Sequence, residues 1–206
     1  MDTETEYENK VRYFYKLLKQ TRSCRNFDES APVDEEVLIA LISLCRHTPS
    51  AMNLQELKFA YTSDRETCRE LTEYVRWAGY LSEKLPRSGE YPTGYIVICH
   101  DTSLRKDFCD IDTGICAQTM ALGARELGYG ACMIGSFDPK ELSYKLGLEE
   151  KLVPRLVMAF GKPAENAEIV NAKDGNIRYY RDERDIHKVP KRPLGEIVVS
   201  IPPMKK

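Results

Sequence analysis

The stretch Asp112-Thr113-Gly114-Ile115-Cys116-Ala117-Gln118-Thr119-Met120-Ala121-Leu122-Gly123-Ala124-Arg125-Glu126-Leu127-Gly128 runs directly into Tyr129-Gly130-Ala131-Cys132-Met133-Ile134-Gly135-Ser136-Phe137. Asp112 to Leu127 predicts a long helix. Its Gly114, Ala117, Ala121, Gly123 and Ala124 let a neighbour pack closely, and Gly128 suits the C-cap. Tyr129 to Phe137 predicts a strand. The order decides the fold. In a dinucleotide-binding loop the glycines follow a strand, open a helix and are spaced Gly-x-Gly-x-x-Gly. Here the helix comes first and the spacing is Gly-x-Gly-x4-Gly. What fits instead is a capped helix and then a strand whose end exposes backbone N–H groups at Gly135 and Ser136, where a planar ligand meets no side chain; Ile134 just before them is a further candidate binding residue.

Outward from this stretch, helices and strands mix without a regular βαβ alternation. Val11, Phe14, Leu17 and Leu18 recur at helical spacing, and Arg22 to Phe27 follows as an extended segment. Ala31-Pro32-Val33-Asp34-Glu35-Glu36 opens a helix that runs through Leu38, Leu41, Ile42 and Cys45 and stops ahead of Pro49. Leu57 to Thr62 reads as a strand, Asp64 to Tyr74 as a helix and Gly94 to Cys99 as a buried strand. Pro139 to Leu146 reads as a helix and Pro154 to Gly161 as a strand. Trp77 to Thr93 holds the only Trp, Tyr80, Tyr91, two Pro and two Gly, and reads as a surface excursion or lid. Glu196 to Ile201 is a strand candidate, and residues 1–10 are expected to be peripheral or disordered. The expected architecture is α+β: a mixed, mainly antiparallel sheet between helices in three layers, one domain over 1–206.

Composition narrows the function. The net charge of -2 with 30% charged residues sets up no global field toward nucleic acid or an anionic membrane. The acidic N-terminus has no apolar signal region, and Ile96 to Cys99 is too short to span a bilayer; the expectation is a soluble, cytoplasmic chain. Seven cysteines without a Cys-x-x-Cys pair disfavour a zinc site, a cluster or a disulfide framework. They are expected to be reduced and buried, except Cys24, whose thiolate the flanking Arg22 and Arg25 should favour. His47, His100 and His187 are too scattered for a metal site, and no hydrolase or P-loop motif occurs.

The remaining candidates are short. Arg22-Ser23-Cys24-Arg25 places two guanidinium groups and a hydroxyl together, a set that suits phosphate, or equally a solvated turn. In an extended segment Ser23 and Arg25 share a face and Arg22 points the other way. Lys191-Arg192 after Pro190 is a second basic step, or solvated charge. Pro49-Ser50-Ala51-Met52-Asn53-Leu54-Gln55 carries amides that match a polar ring edge or sugar hydroxyls; it could also serve only the end of the preceding helix.

Taken together, Arg22-Ser23-Cys24-Arg25-Asn26-Phe27, Pro49 to Gln55, the helix with Asp112, Gly114 and Gln118, Leu127-Gly128-Tyr129-Gly130 leading to Ile134-Gly135-Ser136-Phe137, and Val189-Pro190-Lys191-Arg192 resemble the nitroreductase family of FMN-dependent oxidoreductases, from about Thr21 to Val198. The resemblance implies an intertwined homodimer with two FMN sites, each built from both subunits. On that pattern Arg22, Ser23, Lys191 and Arg192 hold the FMN phosphate. Arg25 reaches the flavin N1/O2 edge, and the Gly135 N–H faces N5. Ser50, Met52 and Asn53, with Gln55 beside them, come from the partner subunit. It further implies ping-pong transfer from NADH or NADPH to a nitro compound, quinone or related small acceptor, with no catalytic side chain. Thr21 stands where many relatives carry another arginine. Competing readings are a flavin storage or sensor protein, and an interaction domain whose basic clusters are surface charge.

Overall fold

The computed structural model describes residues 3–104 and 108–202. Its contacts divide the chain into Met1–Glu165 and Asn166–Lys206. The first unit contains α1 (Thr3–Gln20), β1 (Phe27–Asp28), α2 (Glu35–Cys45), β2 (Leu57–Thr62), α3 (Arg65–Glu73), β3 (Gly94–Asp101), α4 (Cys109–Glu126), β4 (Gly130–Ile134), α5 (Pro139–Lys145) and β5 (Leu152–Pro163). The second contains β6 (Ala167–Asn171), β7 (Tyr180–Arg181), β8 (His187–Lys191) and α6 (Leu194–Ile197).

The main sheet is antiparallel in every ladder. β2 pairs with β3 and β3 with β5; the other edge of β5 takes β4 and then β1. All eight residues of β3 are buried, and their alternation sends them to two cores. Ile96 and Ile98 pack with Leu38, Leu41, Cys116, Ala117 and Met120 from α2 and α4. Tyr95, Val97 and Cys99 pack with Cys68, Leu71 and Leu142 from α3 and α5. Helices therefore cover both faces, which is the expected three-layer α+β arrangement. The small residues of α4 act as expected where α2 crosses it: a Cβ on Gly123 would stand 2.5 Å from the Leu44 side chain. Gly128, at φ 79°, donates its N–H to the Arg125 carbonyl while Tyr129 donates to Ala124, closing the helix as its sequence predicts.

One expectation needs correction, and two gain detail. Residues 3–10, expected to be peripheral or disordered, form the first half of α1, with Glu8 to Lys10 exposed. Glu196 to Ile201 is not a strand: Leu194–Ile197 makes one helical turn and the β-branched residues after it join no ladder. The tail's strands lie earlier, in β6 and β8, which pair in parallel, and in β7, antiparallel to β8. The excursion at 77–93 has no regular element, as expected, yet its second half is tied down. Arg87 N–H donates to Asn26 Oδ1 (3.0 Å), Phe27 N–H to the Glu90 carbonyl (3.0 Å) and Tyr91 N–H to Glu29 Oε1 (3.1 Å).

Candidate active site

The arginine segment is held against β4. Ser23 bridges Ala131 in parallel, and Cys24 N–H donates to the Ala131 carbonyl at 2.9 Å. Alternation puts Ser23 outside and Cys24 inside, with Arg25 half-buried. This overturns the expectation for Cys24: its thiol is buried and donates to the Asn26 carbonyl. Burial first, then the Glu165 charge and Cys132, push it far above the ordinary thiol range. Adjacent residues of an extended chain point opposite ways, which separates Arg25 from the thiol, and Arg22 turns its guanidinium back to the Leu18 carbonyl. All seven cysteines are buried and free.

Arg25 lies along the same strand. Its backbone N–H donates to the Glu165 carboxylate. Its guanidinium draws the Cys132 thiol down while burial raises it, leaving that thiol at about 11. Arg22 is half-buried at the end of α1, where Nη2 donates to the Leu18 carbonyl (3.0 Å). Its buried Nε has no hydrogen-bond partner. Desolvation lowers the guanidinium from its usual value, but an arginine stays protonated in water at any working pH. Thr21 has a plain local use: its hydroxyl donates to the Leu17 carbonyl at 2.8 Å, closing the helix.

The far end of β4 is open. The ladder ends at Ile134, and Gly135 and Ser136 are exposed. A Cβ on Gly135 would meet nothing nearer than the Leu156 side chain at 4.0 Å. The excursion starts here, since Val75 bridges Phe137 and Arg76 N–H donates to the Ser136 carbonyl (2.9 Å). Ile134 itself is buried in the core. One strand thus links Arg22, Ser23 and Arg25 to Ile134, Gly135, Ser136 and the mouth of the Trp77 loop.

Ser50, Asn53 and Gln55 gather elsewhere in the unit. They line a cavity of about 290 Å³ together with Ile42, Cys45 and Arg46 from the end of α2 and Asp112 and Cys116 from α4. The turn is strained: Met52, Asn53 and Gln55 all have left-handed φ (53°, 54° and 49°), a region L-residues seldom occupy. Asp112 accepts from Ala51 N–H (3.1 Å), and Ser50 Oγ accepts from Gln55 N–H (3.0 Å). The helix end is served by Thr48 instead, whose hydroxyl donates to the Cys45 carbonyl. Met52 projects outward, 70% exposed. The Cys116 thiol is lowered chiefly by its hydrogen bond with Cys45, against burial and against the charges of Asp112 and Glu56. Glu56, which no sequence signal marks, is fully buried on this cavity.

Within the second unit, Lys191 ends β8 and pairs in register with Asn171, and Arg192 Nη1 lies 3.2 Å from Glu196. An anion bound to Arg192 would compete with that surface ion pair. Among the described residues, no group of three His, Cys, Asp or Glu could hold a metal, and no helix is long and apolar enough to cross a membrane.

The family model described as the nitroreductase family matches residues 18–162. YodC of Bacillus subtilis (strain 168), a protein named as an NAD(P)H nitroreductase, is 22% identical over 185 residues, covering 73% of this chain and 90% of its own. An FMN-dependent nitroreductase of Clostridium difficile R20291 superposes with a TM-score of 0.63 at 22% identity, over 81% of this chain and 97% of its own. A Desulfovibrio desulfuricans protein solved in complex with FMN gives 0.66 at 21% identity, over 91% and 96%. With its central sheet, its covering helices and most of its length matched, the chain belongs to the nitroreductase family.

Proposed function

We propose that this protein is an FMN-dependent oxidoreductase. It takes reducing equivalents from NADH or NADPH and passes them to a nitro compound, quinone or related small acceptor, in ping-pong order and as a homodimer. The observation that carries the reading is the β4 edge, where two arginines are pinned beside one end of a strand whose other end is bare of side chains. The names of the relatives, which include NAD(P)H and FMN, support the cofactor and the donor.

The residues suit FMN. The orphaned Nε of Arg22 and the exposed Ser23 hydroxyl offer donors to a phosphate, and the open surface at Gly135 admits a flat ring. Bound FMN supplies the hydride chemistry. The chain's part is to bind and orient. Arg25 keeps a fixed positive charge where electron density gathers, and Gly135 leaves its N–H unscreened. Ser50, Met52, Asn53 and Gln55 serve the partner's flavin, and the exposed stripe Ile111, Gly114, Gln118 on α4 and Phe14 on α1 lie against the second copy. Seven free thiols fit a reducing, cytoplasmic setting.

The test is anaerobic mixing of the FMN-loaded protein with NADH or NADPH, then with a panel of acceptors. The visible flavin absorbance is expected to bleach with the nucleotide and return with an acceptor. Retention of colour would leave a storage or sensor protein, and failure to bind FMN an interaction domain. In Arg25→Ala, reduction is expected to slow by roughly a hundredfold, the scale of losing one preorganised charge-stabilising group. Unaltered rates together with an unaltered flavin potential would remove Arg25 from its role.

A further inference from the structure

Cys45 ends α2, Cys116 lies midway along α4, and the two helices pack closely because α4 turns small residues toward α2. The two thiols hydrogen-bond each other, and Cys45 Sγ lies 3.8 Å from the Cys116 carbonyl. Both line the cavity of about 290 Å³ and keep some accessible surface, 9% at Cys45 and 5% at Cys116. Thr48 Oγ1 stands 3.5 Å from the Cys116 sulfur. That hydroxyl has one proton, given to the Cys45 carbonyl, and it can turn to a thiolate instead. The hydrogen bond from Cys45, with a smaller one from Thr48, holds the Cys116 thiol below its ordinary range, against burial and against the charges of Asp112 and Glu56. Cys45, the donor, is raised. Arg46 and Lys58 are the cations on the same cavity. The other five thiols are all raised, with burial the first cause in each, and none lines this cavity. A thiol poised as the anion beside one that keeps its proton is the arrangement in which a pair oxidises.

We propose that Cys116 and Cys45 form a peroxide-sensitive pair, with Cys116 as the attacking thiolate, Cys45 as the resolving thiol and hydrogen peroxide as the oxidant. The Cys116 sulfur attacks one peroxide oxygen and the O–O bond breaks. The departing hydroxide takes a proton from solvent, leaving a sulfenic acid and water. Cys45 then gives up its proton, and its sulfur attacks the Cys116 sulfur. The S–O bond breaks, and the oxygen leaves with that proton as a second water. The two thiols lose two electrons in all, and the peroxide gains them. The disulfide ties the end of α2, and the 46–55 segment that follows it, to α4; a dithiol reverses it by exchange. The chemistry needs no bound flavin. The pair does share its cavity with Ser50, Asn53 and Gln55, proposed above to serve the partner's flavin, so the thiols are read directly and apart from flavin content.

The FMN-loaded protein is treated with stoichiometric hydrogen peroxide, unfolded in iodoacetamide, digested and analysed by mass spectrometry. The expected product is a linked pair of peptides carrying Cys45 and Cys116, lighter than the free thiols by two hydrogens, with the other five cysteines alkylated; dithiothreitol restores both thiols. Cys45→Ser keeps a hydrogen-bond donor and is expected to stop at a Cys116 sulfenic acid that dimedone traps. Cys116→Ser is expected to give neither product and to slow thiol loss at least roughly tenfold. In the wild type the oxidation rate rises with pH as the thiolate forms and levels off below about pH 8.5, the range of an unperturbed thiol. A rate still climbing through that range overturns the proposal. So does a wild type whose Cys45 and Cys116 both alkylate fully after peroxide, or whose link joins other cysteines. A protein that forms the link but binds no FMN upholds the pair and removes the cofactor reading; a yellow protein that forms no link does the reverse. Should either serine variant fail to fold, the wild-type peptide map and pH profile decide by themselves.

Discussion

The β4 edge and the 50–56 turn carry the two halves of the candidate chemistry, and they are built in opposite ways. At β4, small residues let the arginine segment lie flat on the strand. Cys24 N–H and Ala131 O meet at 2.9 Å, and Cys24 and Phe27 fill the core beneath. At the turn, three residues sit at left-handed φ and a buried carboxylate has no partner. The first region is packed within one copy, and its unmet polarity is confined to buried donors such as Arg22 Nε. The second stores strain and unmet polarity, which persist only where surrounding structure or a partner compensates. The contrast is between a platform packed in advance and a turn held under strain.

The comparison breaks most easily at Gly130. A Cβ there would stand 2.8 Å from Cys24 Cβ and 3.0 Å from its Sγ. Cys24 cannot retreat, because it is buried and its backbone is bonded to β4. Gly130→Ala is expected to cost about 1–3 kcal/mol, the scale of overpacking a filled core. It should also lift residues 22–25 and lower the flavin content of the purified protein. Thermal melting and flavin absorbance read both effects. A variant as stable and as yellow as the wild type would mean that the platform is not tightly packed.

Why one half was legible in the sequence follows from these contacts. The helix at Asp112, its Gly128 cap and the strand after it are local facts, set by residue spacing and by one glycine's freedom at positive φ. Strands that need a partner are not local. Ile197-Val198-Val199-Ser200-Ile201 has the β-branched composition of a strand, yet nothing pairs with it, while the more polar Ala167–Asn171 finds β8. β-propensity describes what suits a pleated surface and not whether a neighbour is there. Cys24 was misread for a related reason: its neighbours in sequence are arginines, but its neighbours in space are Phe27 and the sheet. Glu56 carries no signal, because an acid two residues before Lys58 reads as solvated until the fold buries it.

The platform has a brace, at Glu29. Its carboxylate accepts from Arg69 (2.6 Å), Arg65 (3.2 Å) and Tyr91 N–H (3.1 Å), tying α3 to the returning end of the excursion. Burial pushes this carboxyl up, but the bond from Arg69, the Tyr91 N–H and Arg65 together hold it below its ordinary value. A depressed carboxylate stabilises the fold above its unfolded pKa, roughly 4.3, and that contribution disappears as pH falls through the lower folded value. Glu29→Gln is expected to cost about 1–2 kcal/mol at neutral pH, as for a charge-assisted hydrogen bond lost at a half-buried site. Wild type and variant should converge below roughly pH 4. A gap that stays constant with pH would assign the loss to packing.

The turn sharpens the contrast in the other direction. Met52, at φ 53° and 70% exposed, gives up little packing when shortened. A left-handed L-residue costs about 1–2 kcal/mol, and a glycine there adds about 0.5–1 kcal/mol of unfolded-state entropy. Met52→Gly is therefore expected to stabilise the fold by about 0.5–1 kcal/mol, the smallest of the three effects and the only gain. If Met52 lies over the partner's flavin, the same change lowers flavin retention, trading function for stability. A melting temperature that falls would show that the turn is relaxed as it stands, and the distinction between a finished platform and a strained turn would fail at this residue.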